Sequence, residues 1–422
     1  MSRFNTSSTH PLIPNSQNYM YEKKYVSIHS EDRDIVRYPN SNEFEIELPQ
    51  DYCNVESVRL TQWTFPANYD VFAVERNNIM MTFKITEPYN PGAADHLSND
   101  PLLEVIFQAL YYHIDTPYIV LIEQGFYSPD QMAIELTNRF NTVVTNVILE
   151  YFNNKTDTEI PNKSELLDRL ILQGGYNQFV VAYNSVGQKL WFGNKSSNFK
   201  ITNSEISAIT KALSIYQCSK SKLPEYVGWG LPEFLGFARC DSIPTPSTEK
   251  NVFGVIPGVL GYPRFYYGDY KPGDDGYWLV PDIEYTGAIV YYLEAPKKIN
   301  LMGEAYFYLE IHGMNNIDET SPFALSPFTI QTNETNGIVN AAFAKIAVPT
   351  TPISQWFDTD LDNYKWYNPP AERIRKLKFK LRYHNGLAVN FGEFNYSITL
   401  EFCIFNPQIS RKVNMYVPNN IA

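Results

Sequence analysis

Period-two alternation marks both ends of this chain. Phe44, Ile46 and Leu48 alternate with Glu43, Glu45 and Glu47, so one face of the segment is apolar and the other acidic. That is the pattern of a half-buried strand, and Pro49 closes it. Similar runs follow at Tyr25–Ile28, Val55–Phe65, Ile79–Ile85 and Tyr118–Ile122. They return at Ala288–Leu293, Ala305–His312, Gly337–Val348, Lys376–Tyr383 and Tyr396–Ile404. Asn385-Gly386 between the last two is a strong hairpin turn signal.

The middle of the chain has a different period. Ser128-Pro129-Asp130-Gln131 predicts a helix start: Ser128 caps, Pro129 suits the first turn, and Gln131 completes a capping box. Met132, Leu136 and Phe140 then recur every fourth residue, one stripe of an amphipathic helix. A second helix is expected over Lys163–Leu172, ended by Gly174-Gly175. Phe179–Tyr183 and Lys189–Phe192 read as a hairpin.

These elements predict a mainly β chain, a jelly-roll-like antiparallel β-sandwich built by N- and C-terminal strands with a small α+β insertion. The expected layout is a flexible arm over 1–24, N-terminal sandwich strands over 25–122 and the inserted module over 123–216. A Gly/Pro/aromatic-rich loop region at 217–280 comes next, then C-terminal sandwich strands over 281–412 and a second arm over 413–422. Composition agrees with β structure. The 31 Tyr, 26 Phe and 28 Pro favour pleated surfaces and cut helices short.

Charge narrows the function classes. With 34 basic against 46 acidic side chains the net charge is −12, which lacks the basic footprint of a nucleic-acid-coating protein, so no direct nucleic-acid contact is expected. Cys53, Cys218, Cys240 and Cys403 are widely spaced and form no CxxC pair, which suits a reducing compartment. Met1–Asn18 has no apolar core of a secretory signal, and no apolar run approaches the length of about 18 residues that a membrane span needs.

The search for chemistry returns no Walker A loop, no GxGxxG after a strand, no HExxH and no GxSxG elbow. The six histidines are dispersed, and Asp358-Thr359-Asp360-Leu361-Asp362 lacks the later Gly and Glu of a calcium loop. The reading is a protein that is not an enzyme, with no cofactor and no catalytic or metal site. The sharpest candidate is an interface. Arg373, Arg375, Lys376, Lys378, Lys380 and Arg382 crowd one segment, and Lys376, Lys378, Lys380 and Arg382 alternate with Leu377, Phe379 and Leu381. A basic strand face protects a sheet edge in many proteins. It also suits docking to an acidic neighbour, and the strand of Glu43, Glu45 and Glu47 on another subunit is the expected partner.

Ser30-Glu31-Asp32-Arg33-Asp34, followed by Tyr38-Pro39-Asn40-Ser41-Asn42 and the Glu43–Leu48 strand, resembles a pattern of virion proteins of nucleocytoplasmic large DNA viruses. Val55–Leu60, Gly125-Phe126-Tyr127-Ser128, Asn340–Lys345 and Tyr367–Ile374 extend the resemblance, as does the final hairpin. The resemblance implies a minor capsid or capsid-associated protein with a jelly-roll-like core. It would sit in the virion after synthesis in the host cytoplasm, linking the major capsid protein and other minor capsid proteins, with self-association as a further expectation. The resemblance supplies no catalytic residues. A penton at the five-fold vertices is the alternative within that class. From another class, a glycan-binding β-sandwich would use Trp229, Trp278, Trp356 or Trp366 as sugar platforms.

Overall fold

A computed structural model of the chain describes residues 21–66, 70–93, 99–204 with 206, 230–246, 282–319, 340–348, 355–358, 364–384 and 388–405. The chain divides into two units, Met1–Asp70 with Glu304–Ala422, and Val71–Gly303.

The first unit is antiparallel β and joins strands from both ends of the chain. β1 (Tyr21–His29), β2 (Glu43–Pro66), β10 (Tyr306–Ile311), β13 (Ala344–Ala347), β15 (Tyr364–Arg382) and β16 (Ser397–Phe405) follow the order β1-β16-β2-β15-β10-β13. β14 (Gln355–Asp358) also pairs with β2, and β11 (Ile317–Glu319) forms a separate ribbon with β12 (Asn340–Ala342). The predicted strands Phe44–Leu48 and Val55–Phe65 prove to be halves of one strand, β2, with Pro49 at the junction between them.

β2 bends sharply there. Phe44 and Phe65 sit near its two ends, about 70 Å apart if the strand were straight. Both rings nevertheless pack on Tyr396, at 6.1 and 4.8 Å. Asn54, at φ 55°, takes up a left-handed conformation near the corner. β15 follows β2 through the same corner, with register shifts on both sides of the 371–374 stretch. One continuous ribbon therefore supplies two facing layers, the way corners are turned in sheet packings. One layer holds β1, β16 and the C-terminal half of β2; the other holds the N-terminal half of β2, the end of β15, β10 and β13. Val58, Phe44, Phe307, Phe379, Leu400 and Phe402 lie in the shared core.

The second unit holds two smaller sheets. β3 (Met80–Glu87) lies between β4 (Tyr118–Leu121) and β7 (Asn198–Ile201). β5 (Phe179–Asn184), β6 (Lys189–Asn194), β9 (Tyr291–Glu294) and β8 (Thr245–Pro246) form the other. The sequence layout needs correction here. β3, β4 and the Ala288–Leu293 segment, expected in the terminal sandwich, belong to this unit, which runs well beyond 123–216. Alternation identifies a buried face without saying which sheet buries it.

α2 (Pro129–Asn154) organises the unit. Ser128 and Gln131 form the expected capping box, the Gln131 amide donating to Ser128 Oγ and the Ser128 amide to Gln131 Oε1. Its apolar stripe, Met132, Leu136, Phe140, Val144, Ile148 and Phe152, is fully buried. Phe140 stacks on Phe83 of β3 at 4.6 Å. A polar stripe beside it treats the edge of β5 as a neighbouring strand would. Asn141 receives the Phe179 amide and donates to the Phe179 carbonyl, and Thr137 Oγ1 receives the Val181 amide.

α3 (Lys163–Leu172) ends at Gly174 and Gly175, both at positive φ, as expected. α1 (Pro101–Tyr112) is an element the alternation reading missed, although Asp100 caps it by accepting from the Leu102 amide and Pro101 opens it. Of the 217–280 region the described part includes a short helix, α4 (Leu231–Phe234), and β8. The Asn385-Gly386 turn lies outside the described residues, as does most of the two arms. Tyr21–Lys24, expected in the N-terminal arm, are instead the first residues of β1.

Candidate interaction surface

The basic strand and the glutamate strand meet within one chain. β15 pairs with β2 so that Lys376 stands opposite Glu47, Lys378 opposite Glu45 and Lys380 opposite Glu43. Lys376 Nζ lies 3.0 Å from Glu47 and 3.6 Å from Glu45, and Lys378 Nζ lies 2.7 Å from Glu43. Arg373 reaches Asp51 at 2.6 Å, with Arg375 at 4.0 Å from Glu47. The glutamates expected on another subunit are thus supplied by the same chain. Hydrogen bonding to Lys376 holds Glu47 below the usual carboxylate range. The result is a ladder of alternating sign on the outer face of one layer, its charge largely neutralised in place.

Arg382 departs from this ladder. Alternation puts it on the same face, but it is buried, bonded to Glu310 and Glu319 and set beneath the Tyr308 ring at 5.2 Å. Glu319 comes from β11, and His384 Nδ1 lies 3.0 Å from it. Burial alone would raise the Glu319 pKa; the contacts with Arg382 and His384 outweigh it and hold the carboxyl below its ordinary value. Arg382 is a structural cation, and its neighbours in sequence form the exposed face without it.

The outer face of the other layer holds a second arrangement that only strand register reveals. Tyr25, Glu401, Arg59 and Tyr364 stand in one row across β1, β16, β2 and β15. The next row is Lys23, Cys403, Ser57 and Trp366. Glu401, 2% exposed, is held by Lys23 Nζ at 3.0 Å and Arg59 Nη2 at 3.0 Å, and Tyr25 also donates to it. Burial would raise this carboxyl too, but the three donors keep it below the usual range. The Arg59 guanidinium also lies 5.0 Å from the Tyr364 ring, which stacks on Trp366 at 5.5 Å. Tyr25 and Trp366 are each 61% exposed.

Two exposed rings therefore flank, on paired strands, a polar centre in which Lys23, Arg59 and Tyr25 converge on Glu401. Such a surface offers flat apolar area to a partner without leaving a buried charge unpaired. Of the four tryptophans singled out by sequence, Trp229 and Trp278 lie outside the described residues, and Trp366 is the one whose exposure is established. Among the described residues no group of His, Cys, Asp and Glu is arranged to hold a metal ion, and no helix is long and apolar enough to cross a membrane.

No family model matches the chain, and no curated protein matches it. Among solved structures, the chain is similar to the crystal structure of the mavirus penton protein. The match covers 92% of this chain and 99% of that one, at 6% identity and a TM-score of 0.37.

Proposed function

We propose that this protein is a structural component of a large icosahedral DNA virus particle, a minor capsid protein that links or cements capsid subunits. The observation that carries the reading is the outer face around Glu401. It presents Tyr25 and Trp366 to solvent while Lys23 and Arg59 both pair with Glu401 inside the chain. A surface of that kind suits a permanent protein neighbour. The sequence resemblance to virion proteins supplies the setting, with the major capsid protein and other minor capsid proteins as the partners. On this reading the chain acts through contacts and catalyses nothing.

The deciding experiment is a cryo-EM reconstruction of intact particles with this chain traced in it. Density for the chain between capsid subunits, with Tyr25 and Trp366 at a contact, is the expected result. Absence of the protein from purified virions ends the proposal. A stable pentamer of the purified protein would move the assignment to the five-fold vertex. The exposed Trp366–Tyr364 stack also gives the glycan-binding alternative a specific platform. Retention of a sugar on a glycan array, lost in Trp366→Ala, would favour it.

A further inference from the structure

Among the described residues several sheet edges carry a guard. β1 carries Glu22, Lys23 and Lys24, β8 contains Pro246, and the edge of β7 is bridged at Ile201 to Ser242. The edge of β5 is sealed by Thr137 and Asn141 of α2, as described above. β4 has none of these devices. Its sequence is Tyr-Ile-Val-Leu, it pairs only with β3 among the described residues, and Ile119 and Leu121 are each 50% exposed.

The same helix that seals β5 with polar side chains shows β4 an apolar stripe. Val143 and Val147 of α2 line a groove with His113, Pro117, Tyr118 and Ile119. An unprotected apolar edge beside an apolar groove is the arrangement that accepts an added strand, whose backbone pairs with the edge while alternate side chains fill the groove.

Charge selects the occupant. Exposed Asp115 and Glu123 bracket β4, so two copies of β4 pairing antiparallel would bring like charges together. The complement is an apolar strand with a basic flank. Arg411-Lys412, outside the described residues, is followed by Val413, Met415 and Val417 at alternate positions and ended by Pro418, which fits that description. Leu12-Ile13, near the other end, is confined between Pro11 and Pro14, which restrict its backbone and remove a donor from the pairing. We propose that Arg411–Val417 of a second copy adds to the free edge of β4 as a fourth strand, joining copies tail to sheet. This inference is independent of the virion reading, because it concerns the purified protein alone.

Three forms of the protein test it by sedimentation velocity: the full chain, a chain ending at Asn406, and the full chain with Ile119→Lys, which places an edge-guarding charge at an exposed site. The full chain is expected to associate with rising concentration while the other two stay monomeric. A labelled peptide spanning Ser410–Pro418 should bind the truncated chain and slow amide exchange in β4. Ile119→Lys in that chain, or Arg411→Glu with Lys412→Glu in the peptide, should weaken binding about tenfold or more. Because the peptide measurement uses an unaltered groove, misfolding of a variant cannot mimic a negative result. A full chain that sediments like the truncated one, or a peptide that leaves exchange in β4 unchanged, overturns the proposal.

Discussion

Lys23 on β1 donates to the buried carboxylate of Glu401 on β16 at 3.0 Å, tying the first described strand of the chain to the last. Arg59 on β2 reaches the same carboxylate, so three strands share one anion. Replacing Glu401 by Leu would leave Arg59 partly buried without its partner. We expect a loss of about 2–4 kcal/mol in urea unfolding, with Glu401→Gln losing less because it keeps the shape and part of the hydrogen bonding.

Glu401 also makes the fold acid-sensitive. Its folded-state pKa lies below the unfolded value, so its contribution is complete above the unfolded value, about 4.3 for Glu, and is lost as pH falls through the folded one. Urea midpoints measured at descending pH should fall less steeply for Glu401→Gln than for the unaltered protein. Parallel curves would show that Glu401 does not carry this linkage.

The Arg382–Glu319 pair is the more severe test of buried charge. Arg382→Met strands Glu319, 1% exposed at its side chain, with His384 as a remaining hydrogen-bonding neighbour; about 3–5 kcal/mol should be lost. Arg382→Met combined with Glu319→Leu should recover much of that, since no unpaired charge remains. A double variant no more stable than the single one would contradict this account.

In the other unit, Asn141→Leu keeps side-chain volume but removes the groups that receive the Phe179 amide and donate to its carbonyl. The expected cost is about 2–3 kcal/mol. Amide exchange should accelerate first at Phe179, before the rest of β5.

Reversing the exposed ladder should behave differently from all of these. Lys378→Glu with Lys380→Glu places acid opposite Glu45 and Glu43, yet these positions are solvated and ion pairs there contribute little. The folded protein should survive in thermal unfolding. If the ladder face meets a neighbour in the particle, incorporation into virions should drop; unchanged incorporation removes the ladder from the contact surface.

Much of this architecture was legible in the residues. Alternation at Phe44–Leu48 and Tyr396–Ile404, the Ser128–Gln131 cap and the Gly174-Gly175 stop are local signals, carried by neighbours in sequence, and they predict strands and helices well. α1 carries the same kind of local signal, in Asp100-Pro101 and the spacing of Leu102, Ile106 and Leu110.

What tertiary structure alone decided is which segments meet. The chain states that Lys376 and Lys378 face away from a core; strand register makes Glu47, Glu45 and Glu43 of the same molecule their partners. Arg382 fits the same alternation, and contacts from β10 and β11 surround it. Tyr25, Glu401, Arg59 and Tyr364 are scattered over a separation of 376 positions in sequence and become a row because four strands align in one register. Periodicity is a property of local backbone geometry, whereas register and layer are set by long-range packing around the shared core, which no short window of residues contains.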